Sequence, residues 1–248
     1  YSDLGCFGGE IRTPHLDRLA MGGLRFTNFY SENMCWVSRA AMLTGVCHKT
    51  SLVNGAIHPR CPTLAEMLQD AGYQTRMSGK WHLAGSNESV YPSARGFEQF
   101  YGVLVGAASF YAPHSLSRDR KNVEFEANED PDYYFTHAIS TEAVRMIEQA
   151  EADKPLFLYV AYTAAHWPLH APEDDIAAYE GEYAQGWDAL RENRLAKMKE
   201  LGIAPQSLEL SPRHENVPAW KDVQNTKWQQ RRMEVYAAQV ESLDRNVG

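Results

Sequence analysis

Five side chains with catalytic or anion-binding potential fall at three places in the sequence: Cys35 with Arg39, Lys80 with His82, and His166. Cys35 and Arg39 are four residues apart, which is about one helical turn. A helix that begins near Cys35 would direct backbone N–H groups toward an anion bound there. These residue types fit a nucleophile in a cationic pocket, with imidazoles as candidate proton donors and acceptors.

Each candidate also has an ordinary structural interpretation. A single cysteine is most often a small buried apolar residue, and an isolated arginine is most often solvated or ion-paired. His82 follows Trp81 and is compatible with a core histidine, while loop packing accounts equally well for His166. The candidates gain weight only from their placement relative to one another.

The pattern along the chain predicts strands that alternate with helices. A threonine followed three residues later by a glutamate, Thr63 and Glu66, is a capping box that begins one helix. Alternating strands and helices predict an α/β fold with a mostly parallel central sheet flanked by helices. The polar segment 173–228 predicts a surface insertion. The predicted helices are 13–23, 38–45, 63–73, 136–153 and 231–248, and the predicted strands are 24–31, 73–78 and 154–162.

Each group of candidate residues follows a predicted strand. Cys35 and Arg39 follow the first strand, Lys80 and His82 the second, and His166 the third. Ligands of open α/β sheets bind beyond the carboxyl ends of the strands. The sequence therefore predicts that the five side chains converge at one edge of the sheet.

Charge and composition exclude several classes of partner. The 248 residues carry a formal net charge of −8, so neither a nucleic-acid backbone nor an anionic membrane is expected as a partner. No apolar run approaches the roughly 20 residues that a membrane span requires. Four cysteines are too few for a disulfide scaffold, although a Cys47–Cys61 bridge stays open. The localisation is not determined by the sequence.

Several stretches resemble the formylglycine-dependent sulfatases. "CWVSRAAMLTG" resembles their signature Cys-x-Pro-Ser-Arg-Ala-x-x-x-Thr-Gly, and "GYQTRMSGKWHLAG" resembles their second signature. Further blocks such as "RGFEQFYG" and "RRMEVYAAQVESLDRNVG" agree in order, so the resemblance covers nearly the whole chain. It is strongest to the bacterial arylsulfatase type. The resemblance implies the alkaline-phosphatase-like α/β sandwich, incomplete in this chain, with residues 1–248 forming a sulfatase catalytic domain.

The resemblance also implies a role for each candidate residue. Cys35 is the position that a formylglycine-generating maturation enzyme oxidises to formylglycine. Arg39 and Lys80 hold the resulting diol and the sulfate oxygens, His82 acts as a base, and His166 contacts the sulfate and protonates the leaving oxygen. The implied activity is hydrolysis of an aryl or carbohydrate sulfate ester, an anionic small-molecule or carbohydrate substrate, to an alcohol and inorganic sulfate.

The implied metal cofactor is Ca²⁺. Of its expected ligands, only the formylglycine position Cys35 matches within residues 1–248. The paired Asp ligands are expected upstream of this chain, and an Asp-Asn pair, a further lysine and a C-terminal subdomain are expected downstream. A hard cation needs several oxygen ligands. Residues 1–248 alone are therefore expected to be inactive.

Two alternatives stay open, and a departure from the signature motivates the non-catalytic one. Val37 stands where the signature has proline, which bears on whether Cys35 is converted. A phosphonate or phosphate ester hydrolase of the same superfamily is one alternative, because the same diol and cations suit tetrahedral phosphorus. The other is a non-catalytic member that binds sulfated ligands through an unconverted Cys35.

Overall fold

The computed structural model describes residues 3–84 and 87–248 of the chain. The chain divides into two compact units, each considered by itself below. The sheet unit is Tyr30–Pro168, and the terminal unit combines Tyr1–Phe29 with Leu169–Gly248. All five candidate residues belong to the sheet unit.

Helices and strands alternate through the sheet unit, as the sequence predicts, whereas the regular elements described in the terminal unit are helical. In the described residues the α-helices are α1 (Pro14–Gly22), α2 (Cys35–Thr44), α3 (His48–Ser51), α4 (Leu64–Asp70), α5 (Glu124–Glu129), α6 (Phe135–Glu148), α7 (Glu173–Ala177), α8 (Gly186–Glu200) and α9 (Thr226–Val247). The strands are β1 (Leu52–Val53), β2 (Ala56–Ile57), β3 (Gln74–Gly79), β4 (Gln99–Val103), β5 (Leu116–Arg118), β6 (Lys121–Asn122) and β7 (Leu156–Ala161).

A five-stranded mixed sheet organises the sheet unit, with strand order β6-β5-β4-β3-β7. The central strand β3 is parallel to both neighbours, pairing Gln74 with Leu156 on β7 and Arg76 with Gln99 on β4. The β5 and β6 strands are antiparallel to their neighbours. All six residues of β3 are buried, as expected for a strand covered on both faces. The predicted α/β class with a mostly parallel centre is confirmed.

Two apolar cores cover the two faces of this sheet. Successive β7 side chains alternate between them: Phe157 and Tyr159 pack against one core, and Leu158 and Val160 against the other. This alternation follows from the two-residue period of a strand. Residues from α2 and α4 complete the first core, and residues from α6 complete the second. The sheet is therefore the middle layer of a helix–sheet–helix sandwich.

The capping box predicted at the start of α4 is present. The Thr63 side chain accepts a hydrogen bond from the Glu66 N–H, and the Glu66 carboxylate accepts one from the Thr63 N–H. Arg95 donates to the same carboxylate at 2.8 Å through Nε. Two free N–H groups of the helix terminus and a buried guanidinium are thus satisfied together.

The strand predicted at 24–31 is wrong, because these residues have no regular structure. Leu24 is 79% exposed and Tyr30 is 89% exposed. An alternating apolar pattern forms a strand only when another strand pairs with it, and none of the described strands pairs with this segment. The segment before Cys35 therefore leads directly into a helix and not out of a sheet.

Other boundaries differ by a few residues. Helix α2 begins at Cys35 and not at the predicted 38, and α9 begins at Thr226 and not at 231. The apolar run at 154–162 predicts a strand buried on both faces, yet β7 is only half-buried apart from Ala161, because it is the last strand of the described sheet. All four cysteines are free thiols, so the Cys47–Cys61 bridge is not formed.

In the terminal unit, α1 is capped from a distant part of the chain. Thr13 is the N-cap residue, but its side chain makes no capping hydrogen bond. The fully buried Asp244 of α9 instead accepts from the N–H groups of His15 and Leu16, at 3.2 and 2.7 Å. A carboxylate at this end also suits the helix dipole. Segment 173–228 contributes α7 and α8 to this unit; its assignment as a surface insertion remains a prediction.

Across the described residues, no helix combines the length and apolar character needed to cross a bilayer.

Candidate functional site

The candidate nucleophile is the first residue of α2. Met34, which precedes it, is extended, and its side chain does not cap the first-turn N–H groups of α2. Cys35 is partly exposed, while Val37 and Ala40 are buried and anchor the helix to the core. The sulfur therefore lies at the positive end of a packed helix, where an anion is favoured.

The loop after β3 carries two more candidates across the ends of the neighbouring strands. The Lys80 N–H donates to Ala161 O at 2.8 Å, and the His82 N–H donates to Leu104 O at 3.2 Å. Gly79, with φ +119°, permits this approach, because a Cβ there would lie 2.2 Å from Ala161 O. Lys80 and His82 thus project from the carboxyl edge of the parallel strands, as predicted.

Arg39 is anchored one turn into α2. Its Nη1 donates to Lys80 O at 2.7 Å and to the Tyr159 hydroxyl at 2.8 Å. Burial lowers the pKa of Arg39, and the nearby Tyr159 and Cys35 act in the opposite direction. An arginine titrates far above neutral pH, so the guanidinium keeps its charge and its orientation is fixed.

Lys80 brings a second cation to the thiol. The residue is only 3% exposed, and its ammonium group is a hydrogen-bond partner of the Cys35 sulfur. Burial lowers the pKa of Lys80, Cys35 raises it, and the Arg39 charge lowers it. A buried ammonium costs free energy unless it is paired, and an anionic ligand would provide that pairing.

His82 lies against the same sulfur. Its Nδ1 is 3.3 Å from Cys35 Sγ. Burial, followed by the charges of Lys80, Arg39 and His166, lowers the pKa of His82 to about 4. The ring is therefore neutral at neutral pH and is able to accept a proton.

His166 comes from the loop after β7. Its Nδ1 lies 2.7 Å from Trp167 O, and because a carbonyl only accepts, Nδ1 is the donor in this contact. His166 also lowers the pKa of His82 electrostatically, so the two imidazoles are close enough to interact. The structure thus brings together all five residues selected from the sequence, although the strand expected before Cys35 is missing.

The described residues around this cluster do not by themselves fit a hard divalent cation. No aspartate or glutamate contributes to the charges acting on Arg39, Lys80 or His82 within the described ranges. Ca²⁺ needs six to eight oxygen ligands. The cluster is therefore an anion site in these residues, and no chemical step below passes through a metal.

Two contributors to the cluster were missed in the sequence. Tyr159 lies within an apolar strand run, and nothing in that run distinguishes the tyrosine that receives Arg39. Gly106 provides the surface on which the His82 ring rests, because a Cβ there would lie 2.4 Å from His82 Cε1. Both meet residues that are distant in the sequence, so local sequence patterns carry no signal for them.

These features define an α/β protein with a cationic, anion-binding pocket around a potential nucleophile at the edge of its sheet. The Sulfatase family model matches residues 1–248, and the chain belongs to the sulfatase family. Members of this family hydrolyse sulfate esters and generally use a formylglycine and a divalent metal ion.

Two curated relatives cover the whole chain. An uncharacterized sulfatase of Schizosaccharomyces pombe is 33% identical over 100% of this chain and 51% of its own length. The arylsulfatase of Klebsiella aerogenes is 31% identical over 100% of this chain and 58% of its own. The chain thus spans little more than half the length of these relatives.

A solved structure shows the same fold. It is a complex of a protein with its substrate D-glucosamine-2-N,6-O-disulfate. The two chains superpose with a TM-score of 0.68 at 20% identity, over 100% of this chain and 58% of the other. The predicted alkaline-phosphatase-like architecture of the sulfatases is confirmed by this match.

Proposed function

We propose that the protein is a sulfuric ester hydrolase that cleaves an aryl or carbohydrate sulfate ester at the pocket around Cys35. One observation carries the proposal: the Cys35 sulfur is met by the Lys80 ammonium and by the His82 ring at 3.3 Å, with Arg39 close by. A sulfate ester is an anion, and negative charge moves onto its leaving oxygen in the transition state. Fixed cations in a partly buried pocket suit both states.

The nucleophile in this proposal is formylglycine, made from Cys35 by a maturation enzyme. Its hydrate supplies one hydroxyl that attacks sulfur and a second whose deprotonation releases sulfate. The groups that meet the thiol fit a diol well, because the Lys80 ammonium donates hydrogen bonds and the neutral His82 ring accepts a proton. Val37 is buried in the first turn of α2, a position where a helix tolerates proline. The helix begins here with valine in that place, so its start does not require proline.

The remaining residues have distinct roles in this reaction. Arg39, held by Lys80 O and the Tyr159 hydroxyl, keeps its charge directed at the reacting group. Lys80 binds the sulfate oxygens. His82 takes the proton of the second hydroxyl, since its lowered pKa keeps the ring neutral. His166 gives a proton to the leaving oxygen from Nε2, because Nδ1 is engaged by Trp167 O.

The metal ion of the whole protein is proposed to be Ca²⁺, with the formylglycine at position 35 as one ligand. The proposal rests on family membership, since the described residues near Cys35 supply no carboxylate for it. The alcohol half of the ester stays undefined. A sulfated amino sugar is a substrate of one protein with this fold, so the fold accommodates a carbohydrate sulfate.

The test is to compare para-nitrophenyl sulfate with para-nitrophenyl phosphate as substrates of the intact protein and its Cys35→Ala variant. We expect hydrolysis of the sulfate ester, favoured over the phosphate, and loss of this activity in the variant. A preference for the phosphate ester would support a phosphate or phosphonate hydrolase instead. Binding of a sulfated sugar without hydrolysis of either ester would identify a non-catalytic member of the family.

A further inference from the structure

A second group of ligand-type side chains is formed by residues on either side of α2 in the sequence. Glu32, which precedes the helix, meets Cys47 and His48, which follow it. One donor atom of each residue lies within 4.8 Å of the other two. In the described residues this is the one group of three or more His, Cys, Asp or Glu side chains close enough to hold a metal ion. All three belong to the sheet unit.

The contact between the imidazole and the carboxylate is close but poorly directed. His48 Nδ1 lies 2.8 Å from Glu32 Oε1. The same nitrogen is buried and has no partner in hydrogen-bond geometry. In an ordinary ion pair, the N–H of His48 would point from Nδ1 toward Glu32 Oε1. If Nδ1 and Oε1 both direct lone pairs at a common point, they suit a shared cation instead.

The donor set selects the kind of cation. A thiolate, an imidazole and a carboxylate together are the ligands of Zn²⁺, whereas Ca²⁺ and Mg²⁺ take oxygen alone. Zinc bonds of about 2.0–2.3 Å hold ligand atoms roughly 3–4 Å apart, so small side-chain rotations from the observed spacing suffice. The Glu32 and His48 side chains are 29% and 30% exposed and Cys47 is exposed, which leaves access for the ion and a bound water.

We propose that Glu32, Cys47 and His48 bind one Zn²⁺ ion, with water in the fourth position. The site is separate from the pocket around Cys35, which consists of cations and imidazoles. The bound ion connects the segment before α2 to the turn after it. Since Glu32 O also accepts a hydrogen bond from the Ser38 hydroxyl at 3.0 Å, the ion fixes the approach of the chain to Cys35.

The consequence is a metal clip that stabilises the helix carrying the candidate nucleophile. A ligand that binds only the folded chain raises its stability in proportion to the logarithm of ligand concentration over Kd. Zinc should therefore raise the Tm of the intact protein, and removal of any one of the three ligands should abolish that rise.

The test is a titration of the metal-free intact protein with Zn²⁺ in competition with a chromophoric chelator. The variants are Cys47→Ser and Glu32→Gln, and the matched control is Cys35→Ser, because Cys35 also has a histidine beside it at 3.3 Å. We expect one bound equivalent in the unaltered protein and in Cys35→Ser. Binding should be at least about ten-fold weaker in each of the other two variants.

Cobalt(II) gives an independent readout, since a thiolate ligand produces a charge-transfer band in the near ultraviolet. The band should persist in Cys35→Ser and disappear in Cys47→Ser, with the metal-free Tm unchanged because Cys47 is exposed. Zinc binding as tight in Cys47→Ser and Glu32→Gln as in the unaltered protein would overturn the proposal. Its loss in Cys35→Ser would also overturn it, because the metal would then lie in the other cluster.

Discussion

At the scale of single residues, Lys80 shows how the pocket combines burial with charge. The residue is 3% exposed, and burial lowers the pKa of its ammonium group while the Cys35 sulfur raises it. A group in this position costs stability unless it is paired. An anionic substrate provides that pairing, which is why the same lysine is expected to contribute both to binding and to the transition state.

Replacing Lys80 with glutamine should lower kcat/KM for an aryl sulfate by about 100-fold or more, because one fixed charge on the sulfate oxygens is lost. Steady-state kinetics on the intact protein measure the effect. The matched control is Lys154→Gln, since Lys154 is exposed and forms an ion pair with Glu151. Equal kinetics for Lys80→Gln and Lys154→Gln would remove Lys80 from the proposed site.

At the scale of elements, the close approach of β3 and β7 depends on Gly79. Alanine at Gly79 would place its Cβ 2.2 Å from Ala161 O at a φ of +119°. Gly72 also has a positive φ, +87°, but a Cβ there meets no atom within 4 Å. Comparing the two positions therefore separates backbone strain from steric overlap.

Gly72→Ala should lower the free energy of unfolding by about 1–2 kcal/mol, the cost of a left-handed alanine. Gly79→Ala should cost at least about 2 kcal/mol more, because backbone atoms of two strands must separate. Urea denaturation of both variants provides the comparison. Similar losses would mean that β3 and β7 are farther apart than described.

The cap of α4 makes part of the stability dependent on pH. Burial raises the pKa of Glu66, but hydrogen bonds from Arg95 and Thr63 outweigh this and lower it below its ordinary value. A carboxylate with a lowered pKa in the folded state stabilises the fold above its unfolded-state pKa of about 4.3. That contribution is lost as the pH falls through the lower, folded-state value.

Glu66→Gln should therefore lower the free energy of unfolding by about 2 kcal/mol at neutral pH, and by much less near pH 3. Urea midpoints at the two pH values measure the difference. Glu151→Gln is the matched control, because the Glu151 side chain is 58% exposed and its ion pair with Lys154 is worth little. A loss for Glu66→Gln that is independent of pH would contradict the role of its charge.

At the scale of the whole molecule, the sequence predicts the elements set by local patterns and misses those set by distant partners. The Thr63–Glu66 cap and the apolar run of β7 were identified because their signals lie within a few neighbouring residues. The strand at 24–31 failed because a strand requires a partner that the described sheet lacks. The capping of α1 by Asp244 was not predicted, because Asp244 lies 229 residues from His15.

The same contrast between local signals and distant partners applies to the candidate site. Its five main residues were found because their types and placement match a family signature. Tyr159, Gly106 and the group formed by Glu32, Cys47 and His48 were not found, because only folding brings them to their partners. A net charge of −8 likewise hides a cationic pocket that three-dimensional proximity alone creates.

The central claim is that Cys35 is the precursor of the nucleophile. The most direct measurement is mass spectrometry of the tryptic peptide Phe26–Arg39, taken from the intact protein made in its native host. We predict the mass of a formylglycine at position 35, despite Val37 in the signature. An unmodified cysteine in that peptide would contradict the proposed mechanism and favour a sulfated-ligand-binding protein.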